Sequence, residues 1–187
     1  MKCTVTIVVL LVAILGTQVA RYFIRPAAPT PDWHAELKDK LPTLGQHNWI
    51  VIADSAFPLQ SKEGITTTYI GGDPLTAVHD VLALLAQQKH VKPSVFLNKE
   101  LDFVDEKDVP AVLNFRAKIG DEIKSLPKES LPHDGIMTKL DDASKNFSVL
   151  VLKTDSTIPY SSVFINLDSA YWDDEKEAKL KKAMKEK

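Results

Sequence analysis

The sequence predicts one α/β domain, in which helices cover both faces of a buried sheet. Short runs of β-branched and aromatic residues alternate with longer segments in which apolar residues recur every three or four positions. Strands that alternate with helices in this way are typical of α/β sheets. The chain has 187 residues, is 44% hydrophobic and carries a net charge of −2, which is an ordinary globular composition that supports one core.

The first half of the domain is predicted to contain two helices and two strands. Trp33, Leu37 and Leu41 recur at helical spacing, and Pro42 ends that pattern. Asp73 is suited to cap the second helix, with Pro74 at its first position. The predicted elements are a helix over 33–41, a strand over 49–53, a strand over 65–70 and a helix over 75–89.

The second half is predicted to contain two more helices and three strands. In order, these are a strand over 94–98, a polar loop or short turn over 99–108, a helix over 109–125, a loop over 127–134, a short helix over 141–145, and strands over 147–152 and 163–165. Residues 33–170 make up the predicted domain. Residues 171–187 form a charged tail whose mixed Glu and Lys residues favour a solvated helix or fraying.

The N-terminal segment predicts export or membrane tethering. Residues 4–20 carry no charge and follow Lys2, so residues 1–24 are interpreted either as a cleaved signal peptide or as an uncleaved anchor in the membrane. A buried N-terminal helix or strand is the alternative. Residues 25–32 are rich in proline and predict an extended linker. The expected location is therefore extracytoplasmic, either secreted, periplasmic or membrane-anchored.

Composition excludes several classes of function. The near-neutral charge argues against a nucleic-acid partner. The only cysteine, Cys3, precedes the domain, which excludes cysteine nucleophiles and cysteine-based zinc sites there. The histidines do not occur at metal-ligand spacing, and Gly71-Gly72 lacks a nucleotide-binding fingerprint, so neither a metal nor another cofactor is predicted.

The most informative motif is LGQHNWIVIADSAFP, residues 44–58, in which polar side chains flank a short buried strand. Asp54 directly follows the strand. In open α/β sheets, ligands bind at the carboxyl ends of the strands, so Asp54 is a candidate site residue. An Asp in this position also serves as a turn former, which is the structural alternative.

This motif resembles the D-ribose pyranase / L-fucose mutarotase (RbsD/FucU) family through Leu44-Gly45, the strand, Asp54 and Phe57-Pro58. A second similar segment, residues 151–165, resembles the family's closing strand, polar loop, Tyr-x-Asn motif and final strand. The resemblance covers roughly residues 35–168. It implies a three-layer α/β/α fold, a monosaccharide as ligand and interconversion of sugar rings or anomers without a cofactor. It also implies a ring-shaped homo-oligomer in which a neighbouring subunit completes the pocket.

The sequence departs from the family at two functional positions. The catalytic His of the family falls on Gln46, and the Asn of its Tyr-x-Asn motif falls on Ser162, whereas Asp54 and Tyr160 are retained. Because the spacing from Gln46 to Asp54 matches that of the family, the resemblance implies that Gln46 points into the same cleft as Asp54. His47, one position later, is the only nearby histidine that is able to carry a proton between two sugar oxygens.

The resemblance therefore suggests a specific set of site residues. His47 and Asp54 are the candidate catalytic residues. Gln46, Asp54, Tyr160 and Ser162 are the candidate substrate-binding residues. A further sugar contact of the family, a His or Arg, falls near Thr138 or Lys139. Two functions remain open: a monosaccharide mutarotase or pyranase, and a non-catalytic secreted or tethered module that has lost the catalytic histidine.

Overall fold

The computed structural model describes residues 32–186, and it confirms the predicted α/β fold class. The compact unit begins at Trp33. Its strands are β1 Trp49–Ala53, β2 Ile65–Tyr69, β3 Val91–Asn98, β4 Lys128–Leu131, β5 Val149–Lys153 and β6 Val163–Ser169. Its α-helices are α1 Trp33–Lys40, α2 Pro74–Leu85, α3 Val112–Glu122, α4 His133–Ala143 and α5 Asp174–Lys185. Short 3-10 helices cover Leu41–Thr43 and Lys99–Phe103.

The six strands form one sheet in the order β2-β5-β1-β6-β3-β4. All neighbouring pairs are parallel except those that include β6, which runs antiparallel to both β1 and β3. Five strands therefore end at one edge of the sheet, and β6 begins there. We call this edge the carboxyl edge and the opposite one the amino edge.

Side chains of the central strand β1 pack into both layers of the core. Ile50 and Ile52 are fully buried on the face covered by helices α1, α2 and α3. Trp49, Val51 and Ala53 are buried on the face covered by α4. Because successive side chains of a strand point to opposite faces, a continuous apolar run is needed where both faces are covered. This explains why the sequence of β1 is apolar throughout.

The structure differs from the sequence prediction mainly between residues 127 and 145. Part of the predicted loop 127–134 is the strand β4, and the predicted short helix over 141–145 is the end of a longer helix, α4. β4 has the sequence KESL and is mostly exposed, so it lacks the apolar pattern that identifies a strand. Its structure depends on backbone pairing with β3.

The charged tail forms the helix α5, which is the helical alternative of the prediction. None of its described residues is buried. Its surface carries ion pairs at helical spacing, with a distance of 2.7 Å between Glu175 and Lys179 and of 3.2 Å between Glu177 and Lys181. Such exposed pairs stabilise a helix only slightly, by about 0.3–0.5 kcal/mol each.

The predicted extracytoplasmic location, secreted, periplasmic or membrane-anchored, is corrected, because the structure does not support it. Between residues 32 and 186, no helix is both long and apolar enough to cross a bilayer. The segment 1–24, for which a signal peptide or anchor was predicted, and most of the linker 25–32 lie outside the described residues.

Replacing Gly64 by Ala should strongly destabilise the fold. A Cβ atom at residue 64 would lie 2.1 Å from the backbone oxygen of Ser144, so the end of α4 would have to move. Such overpacking costs about 1–3 kcal/mol. Gly120→Ala is the matched control, because no atom beyond the adjacent backbone of its own helix, α3, lies within 4 Å of its Cβ position.

The measurement is urea unfolding of both variants and the wild type. We expect Gly120→Ala to gain roughly 0.5–1 kcal/mol from helix propensity. Equal unfolding free energies for Gly64→Ala and the wild type would contradict the close backbone approach.

Candidate functional site

The carboxyl edge brings together polar side chains that are far apart in the sequence. Asp54 follows β1, Asn98 ends β3 and His133 begins α4 directly after β4. Tyr160 and Ser162 precede β6, which starts between β1 and β3. A change of strand direction at this position makes the edge a suitable place for a ligand.

Asp54 and Ser162 are joined by two hydrogen bonds. The hydroxyl of Ser162 donates to Oδ2 of Asp54 over 2.7 Å, and it accepts from the backbone N–H of Asp54 over 3.0 Å. Ser162 is only 1% exposed, whereas Asp54 is half-buried. Ser162 therefore positions the carboxylate and does not itself face a ligand. The backbone N–H of Ala56 also donates to Oδ1 of Asp54, so the carboxylate shapes the turn as well.

His133 is held at the carboxyl edge by two neighbours. Its Nδ1 lies 3.0 Å from Oδ1 of Asn98, which is 2% exposed. Its backbone N–H donates to both carboxylate oxygens of Glu100, over 2.9 and 3.1 Å. The half-buried imidazole is thus fixed at the first turn of α4.

Tyr160 lies beside His133 and has an unusual backbone conformation. Its φ of 61° is in the left-handed region, which non-glycine residues adopt rarely. Its ring centroid lies 5.8 Å from that of His133, edge to face, and the side chain is 40% exposed. Its carbonyl accepts a hydrogen bond from Nδ2 of Asn98 over 3.1 Å. An exposed aromatic ring beside polar groups suits the apolar face of a sugar.

Gln46 and His47 lie at the amino edge, away from Asp54. β1 separates them, and its five residues span roughly 17 Å at the usual rise per residue. Within one protomer, neither side chain shares a cleft with Asp54. The predicted placement of Gln46 in the Asp54 cleft is therefore corrected, because residues before and after an extended strand cannot meet in one chain.

The contacts of Gln46 and His47 differ from those expected of a sugar site shared with Asp54. Nε2 of Gln46 donates to Asp168 over 3.1 Å. The exposed His47 has a φ of 73°, and its ring lies 5.1 Å from the ring of Phe147. The turn before β1 therefore contains a left-handed residue that is not glycine.

The region near Thr138 and Lys139, where a further sugar contact was predicted, lies along helix α4. The hydroxyl of Thr138 donates to the carbonyl of Asp134 one turn earlier. The Lys139 ammonium lies 5.6 Å from the ring centroid of Phe96. The histidine that the structure places at the carboxyl edge is instead His133. Sequence reasoning missed it because β4 lacks a strand pattern and so hid the fact that His133 follows a strand end.

One surface cleft lies at each of the two edges. One, of about 400 Å³, lies beside the carboxyl edge and is lined by residues that include Asp155, Thr157 and Lys118. The other, of about 520 Å³, lies at the amino edge and includes Gln46 and Trp172. Both sheet edges thus offer concave polar surface. Within residues 32–186, no group of three or more His, Cys, Asp or Glu side chains is arranged to hold a metal ion.

Asp155 fastens the loop after β2 to the carboxyl edge. Its carboxylate accepts from the hydroxyl of Tyr69 over 2.7 Å and from the backbone N–H of Gly72 over 2.8 Å. The Tyr69 hydrogen bond and then the Gly72 hydrogen bond lower the pKa of Asp155 below its usual value, and Asp155 in turn raises the pKa of Tyr69. Gly71 and Gly72 both have positive φ, so glycine suits both positions of this turn.

Similar folds occur among solved structures. RbsD of Bacillus subtilis, complexed with D-ribose, is 21% identical, with 71% of this chain and 91% of that chain covered and a TM-score of 0.49. The fucose mutarotase of Streptococcus pneumoniae, in complex with L-fucose, is 18% identical, with 71% and 91% covered and a TM-score of 0.47. FucU of Bifidobacterium longum is 17% identical, with 72% and 94% covered and a TM-score of 0.47. No protein-family model and no curated protein matches the sequence.

Replacing Tyr69 by Phe should make the stability of the fold less dependent on pH in the acidic range. A carboxyl group with a lowered pKa in the folded state stabilises the fold above its unfolded pKa, and this contribution is lost as the pH falls through the folded pKa. Tyr69→Phe removes the largest cause of the lowered pKa of Asp155. The variant should therefore melt below the wild type at pH 7, and the two melting temperatures should converge when Asp155 is protonated.

The measurement is the melting temperature from pH 7 down to about pH 2, with Tyr171→Phe as the control for loss of an exposed tyrosine hydroxyl. A difference between Tyr69→Phe and wild type that stays constant into acid would show that the Asp155 contact is not its source.

Proposed function

We propose that this chain is a divergent RbsD/FucU-like domain that binds a monosaccharide at its carboxyl edge. The observation that carries the proposal is the pairing of two oriented proton-handling groups there. The Asp54 carboxylate is positioned by Ser162, and the His133 imidazole is positioned by Asn98. Tyr160 adds an exposed aromatic surface next to the imidazole.

The spacing of these groups suits a small ligand. Asp54 and Asn98 lie at the ends of β1 and β3, with one strand, β6, between them. The ends of β1 and β3 are therefore two strand spacings, or about 10 Å, apart. The His133 ring lies next to Asn98, on the β3 side. A monosaccharide that lies over the start of β6 has hydroxyl groups that reach toward both sides.

The activity we propose for this site is the interconversion of sugar rings or anomers without a cofactor. Ring opening removes a proton from the anomeric hydroxyl and returns one to the ring oxygen. An imidazole performs both transfers near neutral pH, and we assign this role to His133. Asp54 then orients a sugar hydroxyl by accepting its hydrogen bond, and Tyr160 packs against the sugar.

Gln46 and His47 belong to the proposal only through a second subunit. Within one protomer they lie on the far edge of the sheet from Asp54. We propose a homo-oligomer in which the amino edge of one subunit faces the carboxyl edge of its neighbour. Gln46 and His47 of one protomer then complete the pocket formed by Asp54 of the other. The cleft beside Gln46 at the amino edge supports this proposal.

The alternative is a binding module without catalysis, and one observation favours it. Ser162, at the position of the family's Asn, is buried and fully engaged with Asp54. The sugar contact expected from that Asn is therefore missing. Gln46, at the position of the family's His, accepts and donates hydrogen bonds but does not carry a proton.

Exchange measurements on free sugars distinguish the two functions. Saturation-transfer NMR should show faster anomer or ring exchange for at least one sugar of a panel that includes ribose and fucose. His133→Ala should lower that exchange by about 10²-fold or more, the usual contribution of a general acid-base. His79→Ala is the matched control, since His79 pairs with Glu122 on the helical surface.

Line broadening of a sugar without exchange would support the binding module. Neither broadening nor exchange for any sugar at high protein concentration would contradict both functions. Loss of exchange in His79→Ala to the same degree as in His133→Ala would contradict the assignment of His133.

Complementation between variants tests whether two subunits share the pocket. Gln46→Ala and Asp54→Asn each remove one side of the proposed shared site. Mixed oligomers of the two variants contain some pockets with both sides intact, so the mixture should recover part of the exchange that each variant lacks. No recovery in oligomers shown by native mass spectrometry to contain both variants would contradict a shared pocket.

A further inference from the structure

We infer that Asn98 is a positioning residue that holds neutral His133 in the tautomer with hydrogen on Nδ1, so that Nε2 is the proton-accepting atom. The tautomer follows from the contacts of three residues and does not depend on any ligand. Its catalytic consequence rests on the function proposed above.

The amide orientation of Asn98 follows from the contact with Tyr160. The carbonyl oxygen of Tyr160 lies 3.1 Å from one terminal atom of the Asn98 amide. A carbonyl oxygen only accepts, so the atom facing it must be the Nδ2 donor. The reversed amide would place two acceptor oxygens together at a buried position, which is unfavourable.

The orientation of the amide then decides the tautomer of the imidazole. With Nδ2 turned to Tyr160, Oδ1 faces Nδ1 of His133 at 3.0 Å. The amide oxygen only accepts, so Nδ1 must carry the hydrogen. The hydrogen bond made by one ring nitrogen sets the state of the other, and neutral His133 therefore has its lone pair on Nε2.

The surrounding structure keeps this arrangement rigid. Asn98 is 2% exposed, so water does not readily replace its partners. Tyr160, whose carbonyl accepts from Asn98, has a left-handed backbone with a φ of 61°. Glu100 holds the backbone N–H of His133 at the start of α4. Between residues 32 and 186, the structure shows no hydrogen-bond partner for Nε2, which leaves that atom available to a ligand hydroxyl.

The chemical consequence is that the neutral His133 ring presents its proton-accepting atom, Nε2, to a ligand hydroxyl. A free histidine side chain favours hydrogen on Nε2, which would point a donor at the ligand. Asn98 reverses that preference, so that Nε2 accepts the proton of a sugar hydroxyl. Its Oδ1 still accepts from Nδ1–H in the imidazolium that forms, so the hydrogen bond persists through the transfer.

The test is the 15N chemical shifts of the imidazole nitrogens in the uniformly labelled full chain without sugar, at a pH where the histidines are neutral. His133 should show a protonated Nδ1 and a bare Nε2. His90 is an internal reference for the opposite tautomer, because its Nε2 lies 2.9 Å from the carbonyl oxygen of Leu44 and must donate. A bare Nδ1 on His133 in the wild type would overturn the inference.

Two variants separate positioning from a general effect on folding. Asn98→Asp keeps an acceptor toward Nδ1 and should retain the tautomer. Asn98→Leu removes the acceptor and should shift the majority of His133 to hydrogen on Nε2. Asn114→Leu on helix α3 is the control for the substitution itself. An unchanged His133 tautomer in Asn98→Leu, with the His90 signals intact, would also overturn the inference.

A sugar measurement then connects the tautomer to the proposed function. If a sugar exchanges, Asn98→Leu should lower the rate by roughly tenfold or more, within the contribution of a general acid-base, while sugar binding changes less. A tautomer shift with an unchanged exchange rate would overturn the positioning role but not the tautomer. Absence of exchange in the wild type bears on the proposed function alone, because the tautomer is measured without sugar.

Discussion

The direction of β6 is the constraint on which the candidate site depends. Val163, Phe164 and Ile165 are fully buried, and β6 pairs with both β1 and β3. Because β6 runs antiparallel to these two strands, it begins where they end. The loop before it therefore places Tyr160 and Ser162 between the ends of β1 and β3. A parallel strand at this position would send that loop to the opposite edge, and Asp54 and Asn98 would lose their partners.

Carboxylates that lie outside helices α3 and α4 then hold the starts of these two helices. Glu100 satisfies the first backbone N–H of helix α4, and Glu106 does the same for two backbone N–H groups of helix α3. The hydrogen bonds from Leu113 and Ala111 lower the pKa of Glu106, as expected of a carboxylate that accepts from a helix start. Neither helix start depends on a side-chain cap from its own N-cap residue. The position of His133 is thus set by a carboxylate from another part of the chain.

Gln46 and Ser162, the two residues that depart from the motifs the sequence resembles, lie at opposite edges of the sheet. Ser162 lies at the carboxyl edge, where its buried hydroxyl donates to Asp54. Gln46 lies at the amino edge and contacts Asp168, with the whole of β1 between it and Asp54. The proton-handling side chains at the carboxyl edge are therefore Asp54, held by Ser162, and His133, held by Asn98.

By itself the sequence determined the α/β class, the strands β1, β2 and β5 and the start of helix α2. Apolar runs are required where both faces of a strand are buried, and Asp73 caps α2 through its own side chain. The sequence also identified Asp54 and Tyr160 as candidate site residues, although not their neighbours. Only the tertiary structure decided that KESL forms β4, that α4 begins at His133, and that Gln46 and Asp54 lie on opposite edges. Hydrophobic periodicity reports which side chains are buried, whereas strand pairing, strand direction and contacts between distant residues leave no periodic signal in the chain.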